Sequence, residues 1–123
     1  MKKHNFKNLE VWKKSRQLVA EIYLLAANFP SDEKFGITSQ LKRAIISIPL
    51  NIAEGSGRNS EKEFSYFLSI AYSSALEAET ILYLCLDLQL ISEEKLDIFV
   101  KKINEIQKMI NGLQHKVLEN SKG

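Results

Sequence analysis

From Arg58 to Asn111 the chain runs without a single glycine or proline. Both residues are costly inside a helix, by about 1 kcal/mol for glycine and about 3 kcal/mol for proline relative to alanine. A gap of this length therefore favours long helices over short strands and turns. The whole sequence of 123 residues has only five glycines and two prolines, a length that suits one domain with one core. With 45% apolar and 26% charged residues, its composition is that of an ordinary water-exposed globular chain.

Apolar spacing divides the sequence into four helices, about 8–27, 37–54, 60–90 and 92–118. In the first, Leu9, Trp12, Val19, Tyr23 and Ala26 recur at helical steps beside a second stripe of Val11, Leu18, Ile22 and Leu25, so the apolar face is broad. Asn8 is placed to cap its start, and Phe29-Pro30 to stop it, because the residue before proline is pushed out of the helical region. In the second, Ile37, Leu41, Ala44, Ile45, Ile48 and Ile52 form the inner side. Pro49 interrupts that pattern, so a kink or a break is expected there. Ser60-Glu61-Lys62-Glu63 has the form of a capping box before the third. Ser92 caps the fourth, whose Leu96, Phe99, Ile103, Ile106, Ile110, Leu113 and Val117 form a continuous seam. Short connections make neighbours antiparallel, giving an all-α, up-down-up-down four-helix bundle in a single domain, 1–123.

A line of polar residues crosses the second helix. Gln40, Arg43, Ser47, Asn51, Glu54 and Arg58 are spaced 3, 4, 4, 3 and 4 apart, which puts them on one face, beside the apolar one. Ser73 and Glu77 form a shorter line on the third helix, and Arg43 with Glu77 is the pair expected to join the two. The stripe is read either as a solvent-facing surface or as a partly buried network at an interface or groove. Buried, its charges would have to be paired and would fix register more than add stability. Gly55-Ser56-Gly57-Arg58-Asn59-Ser60 contains the parts of an anion site. It lacks the ending of a phosphate-binding loop, and Glu61 and Glu63 would oppose a phosphate, so a plain helix–helix turn is the better reading.

Little points to catalysis or metal binding. His4 and His115 stand at opposite ends of the chain, and no Cys, His or carboxylate spacing resembles a zinc or di-iron site. Cys85, the single cysteine, falls on an inner face, excludes an internal disulfide and fits a reducing, cytoplasmic compartment. The expectation is a protein without enzymatic activity, metal, cofactor or small-molecule substrate. No stretch approaches the roughly 20 apolar residues of a membrane span, and the basic start lacks the apolar run of a secretory signal. The net charge of +2 is small for a nucleic-acid binder, but it is unevenly spread. Lys2, Lys3, Lys7, Lys13, Lys14 and Arg16 face only Glu10 within residues 1–17, whereas residues 64–91 carry only Glu77, Glu79 and Asp87. Those six cations are the candidate nucleic-acid contacts.

Longer runs resemble a known family. Leu9-Glu10-Val11-Trp12-Lys13, Phe29-Pro30, Thr38-Ser39-Gln40-Leu41-Lys42-Arg43-Ala44, Phe67-Leu68-Ser69-Ile70-Ala71, Ser74-Ala75-Leu76-Glu77-Ala78-Glu79-Thr80 and, most specifically, the stretch from Ser47 to Arg58 look like the four-helix bundle proteins of 23S rRNA intervening sequences. Tyr72-Ser73 departs from the pattern, since relatives often carry glycine before the serine. The resemblance implies a bacterial protein encoded within a ribosomal RNA gene insert, an up-down bundle, assembly as a ring-like homopentamer and no established enzymatic activity. It also implies likeness to the accessory protein of diversity-generating retroelements, which binds nucleic acid and a reverse transcriptase. The polar stripe coincides with the family's signature positions. Two functions follow as expectations: a homo-oligomeric module binding RNA or DNA through repeated basic surface, or a protein-interaction scaffold without nucleic acid. An enzymatic reading would rest on Arg43 and Glu77 alone.

Overall fold

The computed structural model describes residues 4–122. Four helices, α1 (Glu10–Ala26), α2 (Ile37–Ser56), α3 (Glu61–Asp87) and α4 (Glu93–Lys122), follow one another, with short 3-10 turns at Phe6–Asn8 and Ser31–Glu33. No strand occurs among the described residues. Helix α2 packs along α3, α3 along α4 and α1 along α2, and the circle closes through a sparser contact of α1 with α4. The short connections and the cross-contacts Lys14–Glu105 and Glu21–Lys102 make neighbours antiparallel. This is the all-α up-down-up-down bundle expected from the periodicity.

The core is the set of residues whose spacing matches the helical repeat. Leu18 and Ile22 of α1, Leu41, Ile45, Ile48 and Ile52 of α2, Phe64, Leu68 and Leu82 of α3, and Ile103 and Ile110 of α4 are almost wholly buried. Along α3 the inner face alternates large side chains with Ala71, Ala75 and Ala78, so neighbouring helices approach closely at its middle. The second apolar stripe of α1 supplies the core residues Val11, Leu18 and Ile22, and the first is only partly covered: Leu9, Trp12 and Val19 pack at the edge of the core and Tyr23 is exposed.

Several boundaries differ from expectation for identifiable reasons. Asn8 does not cap α1. It lies in the 3-10 turn capped by Asn5, and α1 starts after Leu9 without a side-chain cap. Helix α2 runs through Pro49 unbroken, with Asn51 Nδ2 donating an extra bond to the Ser47 carbonyl at 2.8 Å in the same stretch. Helix α3 ends at Asp87 because Gln89 takes a left-handed conformation, φ 61°. There the Leu90 amide bonds the Cys85 carbonyl at 2.8 Å and the Gln89 amide bonds that of Leu86 at 2.9 Å, a Schellman ending built on glutamine instead of glycine. Helix α4 continues to Lys122, past the expected end near 118. Ser60 and Ser92 cap α3 and α4 as read, accepting from the amides of Glu63 and Lys95 at 3.1 Å each. The reciprocal bond of the box is shifted by one residue, since Glu63 accepts from the amide of Asn59 at 3.2 Å.

Candidate functional site

The polar stripe of α2 lies along its seam with α3 and divides into two parts. In the first, Arg43, Ser47 and Leu50 of α2 face Ser74 and Glu77 of α3 across an open groove, with Ile46 beside them. Its floor is a chain of hydrogen bonds. Ser74 Oγ donates to Ser47 Oγ at 2.7 Å, and Asn51 Nδ2 reaches the same oxygen at 2.9 Å. These groups are half-buried, so each bond offsets the cost of taking polar atoms from water. Ser74, not Ser73, is the α3 partner; Ser73 is exposed. Either serine forms a helical line with Glu77, and only the backbone rotation of α3 decides between them.

Arg43 and Glu77 line this groove but make no ion pair among the described residues, and both are exposed. The expected buried pair is thus replaced by the neutral serine–asparagine link, and helix register is set without a buried charge. Gln40 also faces solvent. The Ser47 hydroxyl is engaged by Asn51 and Ser74, neither of which is a base.

The second part of the stripe closes the α2–α3 corner. Arg58 bonds Glu54 one turn back at 2.7 Å and lies over the Phe67 ring, 4.5 Å from its centroid. Gly55 makes this approach possible: a Cβ there would stand 2.6 Å from Phe67 Cβ and 2.9 Å from Phe64 Cδ1. Ser56, buried, donates to the Ala53 carbonyl at 2.7 Å. Arg58 is held by Glu54 through its Nη2 and Asn59 by Glu63, while the buried Arg58 Nε is left without a hydrogen-bond partner, so the corner is a helix–helix turn with one polar atom unsatisfied.

Sequence reasoning missed the anchoring of the N-terminal segment at this corner. The His4 amide bonds the Ser56 carbonyl at 3.2 Å, and its ring shares a hydrogen bond with Glu61 at 3.0 Å and rests on Phe64. A histidine far along the chain from its carboxylate gives no local signal. Also missed were Gln114, bonded to Ser65 and Ser69, and Gln107, bonded to Glu79, which tie α4 to α3.

Of the six candidate nucleic-acid contacts, Lys2 and Lys3 lie outside the described residues. Lys13 bonds Glu10 at 3.3 Å and Lys14 bonds Glu105. That bond raises the Lys14 pKa above its ordinary value, with the Glu105 charge adding to it. Lys7 is exposed near the Phe6 ring, and Arg16 lies over Trp12, 5.5 Å from the ring centroid. Burial, with a smaller contribution from Glu33, pushes the Cys85 thiol up to about 11 from 9.0; a thiol so held is inert. Among the described residues no His, Cys, Asp or Glu side chains gather as a metal site. No helix there is long and apolar enough to cross a membrane.

A crystal structure of a protein of unknown function from the S23 ribosomal protein family of Bacteroides thetaiotaomicron VPI-5482 superposes with a TM-score of 0.80 at 27% identity, covering 85% of this chain and 95% of that one. No curated protein matches the chain. The sequence model of one family, described as 23S rRNA-intervening sequence protein, matches residues 7–112, a span that takes in the stripe, the α2–α3 corner and most of α4. The chain therefore belongs to the family of 23S rRNA-intervening sequence proteins.

Proposed function

We propose that the protein is a non-enzymatic, self-associating helical module that engages RNA or DNA through basic side chains repeated around the assembly. The observation that carries self-association is the outer face of α3. Between Phe64 and Ile91 the chain has only three charged residues, yet Tyr66, Leu84 and Leu88 are exposed, as is Leu50 of α2 across the seam. Tyr66 and Leu50 are 64% and 61% exposed. An apolar surface so poor in charge is the kind that association covers, and the polar groove between α2 and α3 supplies directional groups within it. The homopentamer implied by the family resemblance would use such a face on each copy.

The nucleic-acid part rests on the basic N-terminal region, with Lys7 and Arg16 exposed and Lys2 and Lys3 preceding them in the sequence. Each copy contributes few free cations, and a ring multiplies them. Titrating a fluorescent RNA with micromolar protein tests this: binding should fall steeply with added salt, because phosphate contacts release counterions. A second reading, a protein scaffold without nucleic acid, is favoured by one fact: Lys13 and Lys14 already bond carboxylates of their own chain. An assembled protein that gives no salt-sensitive RNA shift would select that scaffold.

A further inference from the structure

The seam between α1 and α4 is built unlike the two that α3 makes. Helices α2 and α3 are joined by the Ser47–Ser74 bond, and α3 and α4 by Gln107–Glu79 and Gln114–Ser65. Helix α1 touches α4 far less than α3 does. Three hollows follow one another along this seam: beside Val11 and Leu113, beside Leu18 and Ile106, and beside Leu25 and Phe99.

Among the described residues, only two side-chain bonds bridge the gap. They are Lys14–Glu105 and Lys102–Glu21, whose four side chains are 32–52% exposed. Exposed lysine–carboxylate pairs of this kind are weak and screened by salt. The buried residues of α1 are Val11, Ser15, Leu18, Ile22 and Ala26, two of them small, so separating α1 uncovers less apolar surface than separating α2 or α3 would.

We propose that α1 is a latched helix: the α1–α4 seam opens as a unit, with Lys14–Glu105 and Glu21–Lys102 as its two catches, while α2, α3 and α4 stay packed. Opening uncovers the strip of α4 that lies along α1, including Phe99 and Ile106, which the closed bundle buries. Ionic strength and contacts to the four catch residues set how often that strip is presented.

Amide hydrogen exchange of the full chain tests the latch, read helix by helix in about 0.05 M and about 1 M NaCl. Amides of α1 should exchange about tenfold or more faster than the inner amides of α2 and α3, and several-fold faster again at the higher salt. Lys14→Glu should accelerate α1 alone, and the charge swap Lys14→Glu with Glu105→Lys should restore it. Equal protection of α1 and α3, uniform acceleration of all four helices, or a swap that does not restore protection would each overturn the proposal. The salt series on the unmodified chain decides the question should the single variant fail to fold.

Discussion

Gly55 leaves no room for a side chain where α2 meets α3. A Cβ would fall 2.6 Å from Phe67 Cβ and 3.3 Å from the Phe64 carbonyl oxygen, and neither atom is the free end of a flexible chain. Gly55→Ala should therefore cost about 1–3 kcal/mol of overpacking, seen as a melting temperature lower by about 4–12 °C. Arg43 gives the opposite expectation. Exposed and unpaired with Glu77, it should change stability by less than about 0.5 kcal/mol when replaced by alanine; a larger fall in thermal denaturation would mean that a pair forms in solution. Cys85 adds a pH dependence. Its thiol is raised from 9.0 to about 11, so between those values the unfolded chain releases a proton that the folded chain keeps. Stability is then fully present below pH 9 and lost as pH rises toward 11. Chemical denaturation across that range should show a smaller fall in Cys85→Ala than in the parent, and equal slopes would contradict the assignment.

At the scale of elements, the spacing of apolar residues was enough to place all four helices, because a 3.6-residue repeat sustained over several turns has no rival packing. Boundaries were less legible. Asn8 reads as a cap on paper, but it lies inside a 3-10 turn that places Phe6 against Trp12, 4.9 Å between centroids, and α1 starts after Leu9 without a side-chain cap. Pro49 signalled a kink or break, and of the two the break does not occur, since the helix continues through it. The end of α3 carried no glycine to announce it, and Gln89 holds the left-handed position instead. Such a conformation costs an ordinary residue about 1 kcal/mol, so Gln89→Gly should stabilise the protein by about 0.5–1 kcal/mol, raising the melting temperature by a few degrees. An unchanged or lower value would contradict the Schellman reading.

For the whole molecule, the stripe on α2 was visible as a spacing, but what it faces was not. Whether Ser73 or Ser74 meets Ser47, and whether Arg43 reaches Glu77, depends on the rotation of α3 by a fraction of a turn, which the core composition does not specify. The charge imbalance along the chain was also plain, yet its consequence was not: Lys13 and Lys14 are already paired with Glu10 and Glu105, leaving less free positive charge at the N-terminal end than a count suggests. The low charge of α3 survives folding with Tyr66, Leu84 and Leu88 exposed on its outer side, and the functional account stands on them.

Molar mass in solution, measured by light scattering at micromolar concentration for the parent chain beside Leu50→Glu with Tyr66→Glu, tests that account most directly. The parent should run at several times the mass of one chain and the double variant should fall apart into folded single chains. A parent that is monomeric across the concentration range, or a variant that assembles as the parent does, would contradict it.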